Sequence, residues 1–404
     1  MRGYSEETVH LFMSLFDEKT RVETRPRREN EGSFDYMNSS ARPGISAIRY
    51  LLEYWFEYLP NAAIADVRAR FRSRDEVQHQ SALYELFWHE LLRAHGYAVD
   101  VHPELTGVRT NPDFLAIQNG IPKFYLEATL AMPPGDSAGD RRLAELHDTL
   151  NRMDSPDYFL DVEYRGSPAG NIRGRLVRER LEQWLQQLDF EQISQLYRRQ
   201  NFEAIPQLAW EDQGLLLTFQ PIPKGPQFRG QPGARSVGMV MPMELRELRT
   251  HDDIRAAVEG KSTKYGDVAL PLVVTVNVLD DFCDDADIRN ALFGEEQVVA
   301  VRQSGGQWRH SWGTRVPDGV WYGRNGPRNT LVSAVVVTHQ LSPSTLHTRA
   351  VEVFHNPWAA HPLLPDLLLL PQITICLPRG DIQRTEGASA ANILNIPNPW
   401  PVYE

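Results

Sequence analysis

Asn111-Pro112-Asp113-Phe114-Leu115 and, a few residues later, Phe124-Tyr125-Leu126-Glu127-Ala128-Thr129 are the stretches whose reading decides the fold. Between them, Gln118-Asn119-Gly120 is a hairpin signal, because both central residues of a tight hairpin turn need a positive φ that Asn and Gly tolerate. Residues 114–118 and 124–130 therefore read as antiparallel strands. One carboxylate then stands at the start of the first strand and a second inside the next. An ionised side chain in an apolar strand is costly unless it is paired or bound to a cation. Two carboxylates brought side by side make a hard-oxygen site suited to Mg2+ or Mn2+. Sharing one ion requires nearest oxygens about 4 to 6 Å apart, given metal–oxygen distances of about 2.1 Å.

Upstream, residues 81–95 read as a helix with Leu83, Leu86, Phe87, Leu91 and Leu92 on its apolar side, and this helix carries Glu85. A strand is expected at 98–102. A helix bearing Glu, a strand, Pro-Asp, then Glu-x-Thr is an order of parts that resembles the PD-(D/E)xK nuclease superfamily. The resemblance implies an α/β chain (an α+β mixed sheet) with a restriction-endonuclease-like core over about 76–280. That core would be interrupted by an insertion at about 131–248, preceded by a helical region at 1–75 and followed by a β-rich extension over 281–404 packed on it. It further implies a Mg2+- or Mn2+-dependent hydrolase of phosphodiester bonds with DNA as substrate, acting in restriction, repair or phage defence. Asp113 and Glu127 would hold the metal, with Glu85 assisting.

At one position the pattern departs from the family. Thr129 stands where the family has its lysine, and threonine offers a hydroxyl but no positive charge. A cation must come from elsewhere, and Lys261 and Lys264 are the expected donors. They lie in a helical-looking segment, 251–265, ahead of the apolar run 270–276. Lys261 and Tyr265 are spaced to share a helix face, similar to the Gln-x-x-x-Tyr motif of exonuclease-like branches of the superfamily, with Lys in the Gln position. The ammonium of Lys261 or Lys264 is expected within about 6 Å of a Glu127 oxygen, close enough for a direct or water-mediated contact. Lys123 shares a strand face with Glu127 but starts ~13 Å away at ~3.3 Å per residue. The alternative function is a DNA-binding or regulatory protein that keeps the nuclease fold without cleavage.

With 404 residues, 42% of them hydrophobic and 24% charged, the chain is long enough for a full core and two or three subregions. No apolar run reaches membrane-spanning length, and the polar, acid-broken start is not expected to be a signal peptide. Cys283 and Cys376 offer neither a disulfide framework nor zinc spacing, which fits a reducing cytoplasm. The net charge of −11 argues against a protein that coats nucleic acid nonspecifically, yet leaves room for a local basic channel. Basic clusters occur at Arg21, Arg25, Arg27 and Arg28; at Arg173, Arg175, Arg178 and Arg180; and at Arg198 and Arg199. A further one interleaves Arg302, Arg309, Arg315, Arg324 and Arg328 with Trp308, Trp312, Trp321 and Tyr322. Arg173, Arg309, Arg315 and Trp312 are accordingly the expected nucleic-acid contacts, cations beside stacking surfaces. A homodimer is compatible with the sequence, which carries no marker of oligomeric state.

Along the chain a loop is expected at 25–43, helices at 44–59 and 63–71, and a helix at 141–153 within the insertion. Also within it are expected a strand at 158–164, an amphipathic helix at 172–188 and a strand at 215–221. Loops follow at 221–233 and 304–327, and apolar strands at 329–338 and 351–355 lead to a His355-Asn356-Pro357 turn. There is no Walker loop, Gly-x-Ser-x-Gly elbow or Rossmann fingerprint.

Overall fold

A computed structural model describes residues 13–105, 107, 110–132, 137–231, 236–242, 250–266, 268–280, 283–302, 308–376 and 381–401. The chain divides into two compact units. The first comprises Met1–Arg25, Gly32–Pro133 and Leu248–Glu404; the second comprises Pro26–Glu31 and Pro134–Glu247.

The first unit opens with helices α1 (Ser33–Ser39), α2 (Pro43–Glu57), α3 (Asn61–Phe71) and α4 (Glu76–Ala94). Helix α1 falls inside the expected loop at 25–43. Phe34, Tyr36 and Met37 are buried there, and that burial outweighs the polar composition of the segment. Helix α4 starts five residues earlier than periodicity suggests, because Asp75 caps it by accepting from the Val77 amide at 2.9 Å. Its apolar face, with Leu83, Leu86, Phe87 and Leu91, packs into the main core. Strands β1 (Ala98–Val101), β2 (Phe114–Gln118) and β3 (Ile121–Ala131) then form an antiparallel meander. Asn119 and Gly120 both have positive φ, 52° and 75°, so the turn between β2 and β3 is of the tight kind the sequence called for.

The second unit holds α5 (Ser137–Leu150), β4 (Tyr158–Arg165), α6 (Gly174–Leu185), α7 (Phe190–Arg198), β5 (Leu208–Asp212), β6 (Leu215–Pro223) and β7 (Val237–Pro242). Its strands make their own sheet in the order β5-β6-β4-β7, so residues 158–164 do not join the sheet of the first unit. The short segment Pro26–Glu31 belongs here because Asp148 of α5 accepts from the amides of Glu29 and Asn30 at 2.8 and 3.1 Å.

Returning to the first unit, α8 (Thr250–Ser262) leads to β8 (Leu272–Val278), followed by α9 (Asp285–Phe293). The hairpin of β9 (Glu296–Arg302) and β10 (Trp308–Arg315) occupies part of the expected loop at 304–327. Next come a two-residue pair, β11 (Tyr322–Gly323) and β12 (Gly326–Pro327), then β13 (Val332–His339), β14 (Val351–His355), β15 (Gln372–Cys376), β16 (Asp381–Thr385) and α10 (Ala390–Ile393). The large mixed sheet runs β1-β2-β3-β8-β13-β14-β15-β16. Strand β8 lies parallel to both β3 and β13, and every residue of β8 is buried, as central parallel strands covered on both faces require. The C-terminal third is therefore not an extension packed on a finished core: four of its strands continue the sheet. Among the described residues no helix is long and apolar enough to cross a membrane.

Candidate active site

The tight turn sets the pairing of β2 with β3, placing Phe114 opposite Leu126 and hence Asp113 opposite Glu127 at the mouth of the hairpin. The two acids interlock through the backbone. The Asp113 amide donates to Glu127 Oε2 at 3.2 Å, and the Ala128 amide donates to Asp113 Oδ2 at 2.7 Å. Glu127 is 2% exposed. An anion so enclosed requires compensation, and it is supplied by the far end of α8. Lys261 Nζ donates to Glu127 Oε1 at 2.5 Å, and Lys264 Nζ lies 3.8 Å from the same oxygen. The buried Tyr265 side chain lies near enough to feel the Glu127 charge.

Helix α8 ends at Ser262, so Lys264 and Tyr265 sit in the turn beyond it, and Tyr265 does not share a helix face with Lys261 as expected. What positions them is the turn itself, pinned where Thr110 Oγ1 donates to the Lys264 carbonyl at 2.9 Å. From there the chain enters β8, which pairs in parallel with β3 and sets Val274 beside Glu127.

Charge in the cluster is unevenly distributed. Burial pushes the Asp113 carboxyl up to about 7, and the neighbouring negative charges of Glu127 and then Glu85 add to the rise against the Ala128 amide and Lys261. Burial alone would lower Lys261, but the Glu127 carboxylate, by charge and by hydrogen bond, together with Asp113, raises it and holds the ammonium protonated. Lys264 moves the other way, lowered by burial and by the adjacent Lys261 cation. Tyr265, 2% exposed, is raised by burial and by the negative charges of Glu127 and Asp113, so it stays protonated.

Glu85 is placed differently from expectation. Arg70 of α3 grips it in a bidentate pair, Nη1 to Oε1 at 2.7 Å and Nη2 to Oε2 at 2.6 Å. Both of its oxygens are thereby engaged, and Glu85 acts on the site through its charge on Asp113. Arg70 itself was not legible as part of the site, since an arginine in an exposed-looking helix carries no signal of its partner. Thr129, one strand alternation beyond Glu127 in β3, is half-buried and pairs with Val276.

Of the expected nucleic-acid contacts, Arg173 and Arg315 already have protein partners. Arg173 is paired with Asp212 through Nε and Nη2, each at 3.1 Å. Arg315 donates to the Gly294 carbonyl at 2.6 Å and to Glu296 at 2.5 Å, bracing the end of the β9–β10 hairpin. The side chains of Arg309 and Trp312 lie outside the described residues. His355 donates to, or accepts from, the Gln372 side chain and is lowered by burial, a structural arrangement at the β14 end.

Comparison of the chain with protein-family models, with characterised proteins and with solved structures finds no match, so the chemistry of the site rests on its own geometry.

Proposed function

We propose that this protein hydrolyses phosphodiester bonds, with DNA as substrate, using Asp113 and Glu127 to hold Mg2+ or Mn2+. The observation that carries the reading is Lys261 Nζ at 2.5 Å from Glu127 Oε1 beside a second, half-buried carboxylate. This places two acids and a fixed cation at one point of a helix, meander, helix and parallel-strand arrangement. That order of parts is the one expected of the PD-(D/E)xK superfamily, with the cation relocated from the position of Thr129 to α8.

The donor set fits a hard divalent ion. Both groups are carboxylates, and Asp113 is raised first by burial and then by the charges of Glu127 and Glu85, a penalty on its ionised form that a bound cation would relieve. Among the described residues no cluster of three or more His, Cys, Asp or Glu could hold a metal. Mg2+ is commonly held by one or two carboxylates, with water and substrate phosphate completing its shell. Bound there, the ion would neutralise phosphate charge and acidify the attacking water. The chain's own residues do the rest. The Ala128 amide orients Asp113, and Lys261, which also holds Glu127, presents a positive charge to the phosphate. Lys264, held below the ordinary lysine value, is the better proton acceptor of the two lysines.

One observation favours a second reading, a nucleic-acid-binding protein that does not cut. The cations nearest the acids already close ion pairs, Lys261 with Glu127 and Arg70 with Glu85. A cleavage assay separates the two. Purified protein is expected to cut or trim DNA with Mg2+ or Mn2+, to stop in EDTA, and to stop with Asp113→Ala or Glu127→Ala while melting as a folded protein. Absence of cutting with either metal in the folded wild type would leave the binding reading standing; cutting that survives in the double alanine variant would place the activity elsewhere.

A further inference from the structure

The second unit contains a cavity whose residues play no part in the acidic site. A cleft of about 330 Å3 lies between α5 and α6, near the lower end of the size range of small-molecule sites. Four guanidinium groups line it: Arg142 and Arg152 from α5 and the turn after it, Arg175 and Arg178 from α6. Like charges gather in one small cleft at an electrostatic cost unless an anion shares it.

Each arginine has donors to spare. Arg142 uses one nitrogen on the Pro168 carbonyl at 2.8 Å, and Arg152 uses one on the Thr149 hydroxyl at 3.0 Å, contacts that steady the two forks. Arg175 pairs with Glu179 at 2.7 Å and Arg178 with Glu182 at 3.7 Å, both one helical turn apart. Such pairs on a solvated face are weak and give way to a better acceptor. Arg178 Nε is shielded from solvent and has no hydrogen-bond partner, Glu182 being too distant to accept from it. The floor is drawn tight as well: a Cβ on Gly174 would stand 3.2 Å from Thr149 Cγ2, so glycine lets the start of α6 approach α5.

We propose that this cleft binds a terminal phosphate, a phosphate monoester carried on a nucleotide-sized group. Planar guanidinium forks match phosphate oxygens in pairs. Concentration of four of them in one cleft suits a dianionic monoester, whereas tracking a strand of diesters needs cations spread along a path. Glu145 in the lining supplies an acceptor for sugar hydroxyls, and Leu146 and Ile172 supply an apolar wall. The same chemistry arrives on a free nucleotide or on the phosphorylated end of a nucleic-acid strand. This site does not depend on the phosphodiester reading.

Calorimetric titration of the full chain tests it, in EDTA at 150 mM salt so that cleavage plays no part. Four probes are compared: a nucleoside 5′-monophosphate, its parent nucleoside, and a short DNA strand with a 5′-phosphate or a 5′-hydroxyl. Saturable binding of the monophosphate, with at least ten-fold weaker binding of the nucleoside, is expected. Arg152→Glu and Arg175→Glu, both at exposed positions, should each weaken it at least ten-fold with unchanged melting temperature. Preference for the 5′-phosphate strand over the 5′-hydroxyl strand would identify a strand end as the source; binding of the nucleotide alone would identify a free nucleotide, and either supports the site. Lack of saturable binding of any phosphorylated probe, equal binding of both strand ends with no binding of the nucleotide, or affinity unchanged in both arginine variants would overturn it.

Discussion

Lys261 and Asp113 carry opposite halves of the electrostatics, and each makes a separate prediction. Lys261 is fixed against Glu127 and held charged, so in the proposed reaction it would be a preorganised donor for the phosphate. Lys261→Met should cost on the order of 100-fold or more in cleavage rate under single turnover, with DNA affinity little changed. An equal rate in that variant would remove the lysine from the mechanism. Asp113 is raised from 3.8 to about 7, so between those values the folded chain holds a proton that the unfolded chain releases. Its contribution to stability is therefore full below about pH 4, declines as pH rises, and is gone above about pH 7. Asp113→Asn, a stand-in for the protonated acid, should accordingly stabilise the apo protein by about 1–3 kcal/mol at pH 8 and by nothing at pH 3.5. Urea melts at the two pH values check the sign; a variant less stable at pH 8 would show that burial does not penalise the charge.

The β2–β3 hairpin and the α8–β8 connection decide whether these residues meet. Gly120 at φ 75° turns the hairpin, and a β-branched residue there forces a left-handed conformation. Gly120→Val should cost about 1–2 kcal/mol and lower metal affinity with it, because slippage of β2 on β3 carries Asp113 away from Glu127; a variant of wild-type stability would mean the turn does not set the register. This part of the site was legible in the sequence because its information is local: turn residues, alternation, and a carboxylate in an apolar run. The approach of Lys261 was legible through the apolar strand that follows α8, although the helix stops at Ser262 and a turn, not a helix face, carries Tyr265. Arg70 was not, since its partner Glu85 lies on another helix. Nor were the places of β14, β15 and β16 in the sheet, which are set by pairings across a long stretch of chain that no local pattern records.

At the scale of the whole molecule, one unit builds a single mixed sheet from both ends of the chain, and residues 134–247 leave it to form a unit with its own sheet and core. The outcome is a fold in which β3 and β8, distant in sequence, lie side by side and bring an acidic pair under a lysine. The proposed hydrolysis depends on that pair taking a divalent ion. Mn2+ binding followed by electron paramagnetic resonance at pH 8, in wild type and in the Asp113→Ala, Glu127→Ala double variant, addresses this most directly. The account predicts saturable binding of one or two Mn2+ per chain, weakening as pH falls through about 7 because protons compete at Asp113, and abolished in the double variant. Wild-type protein that binds no Mn2+, or a double variant that binds it equally well, would contradict the account.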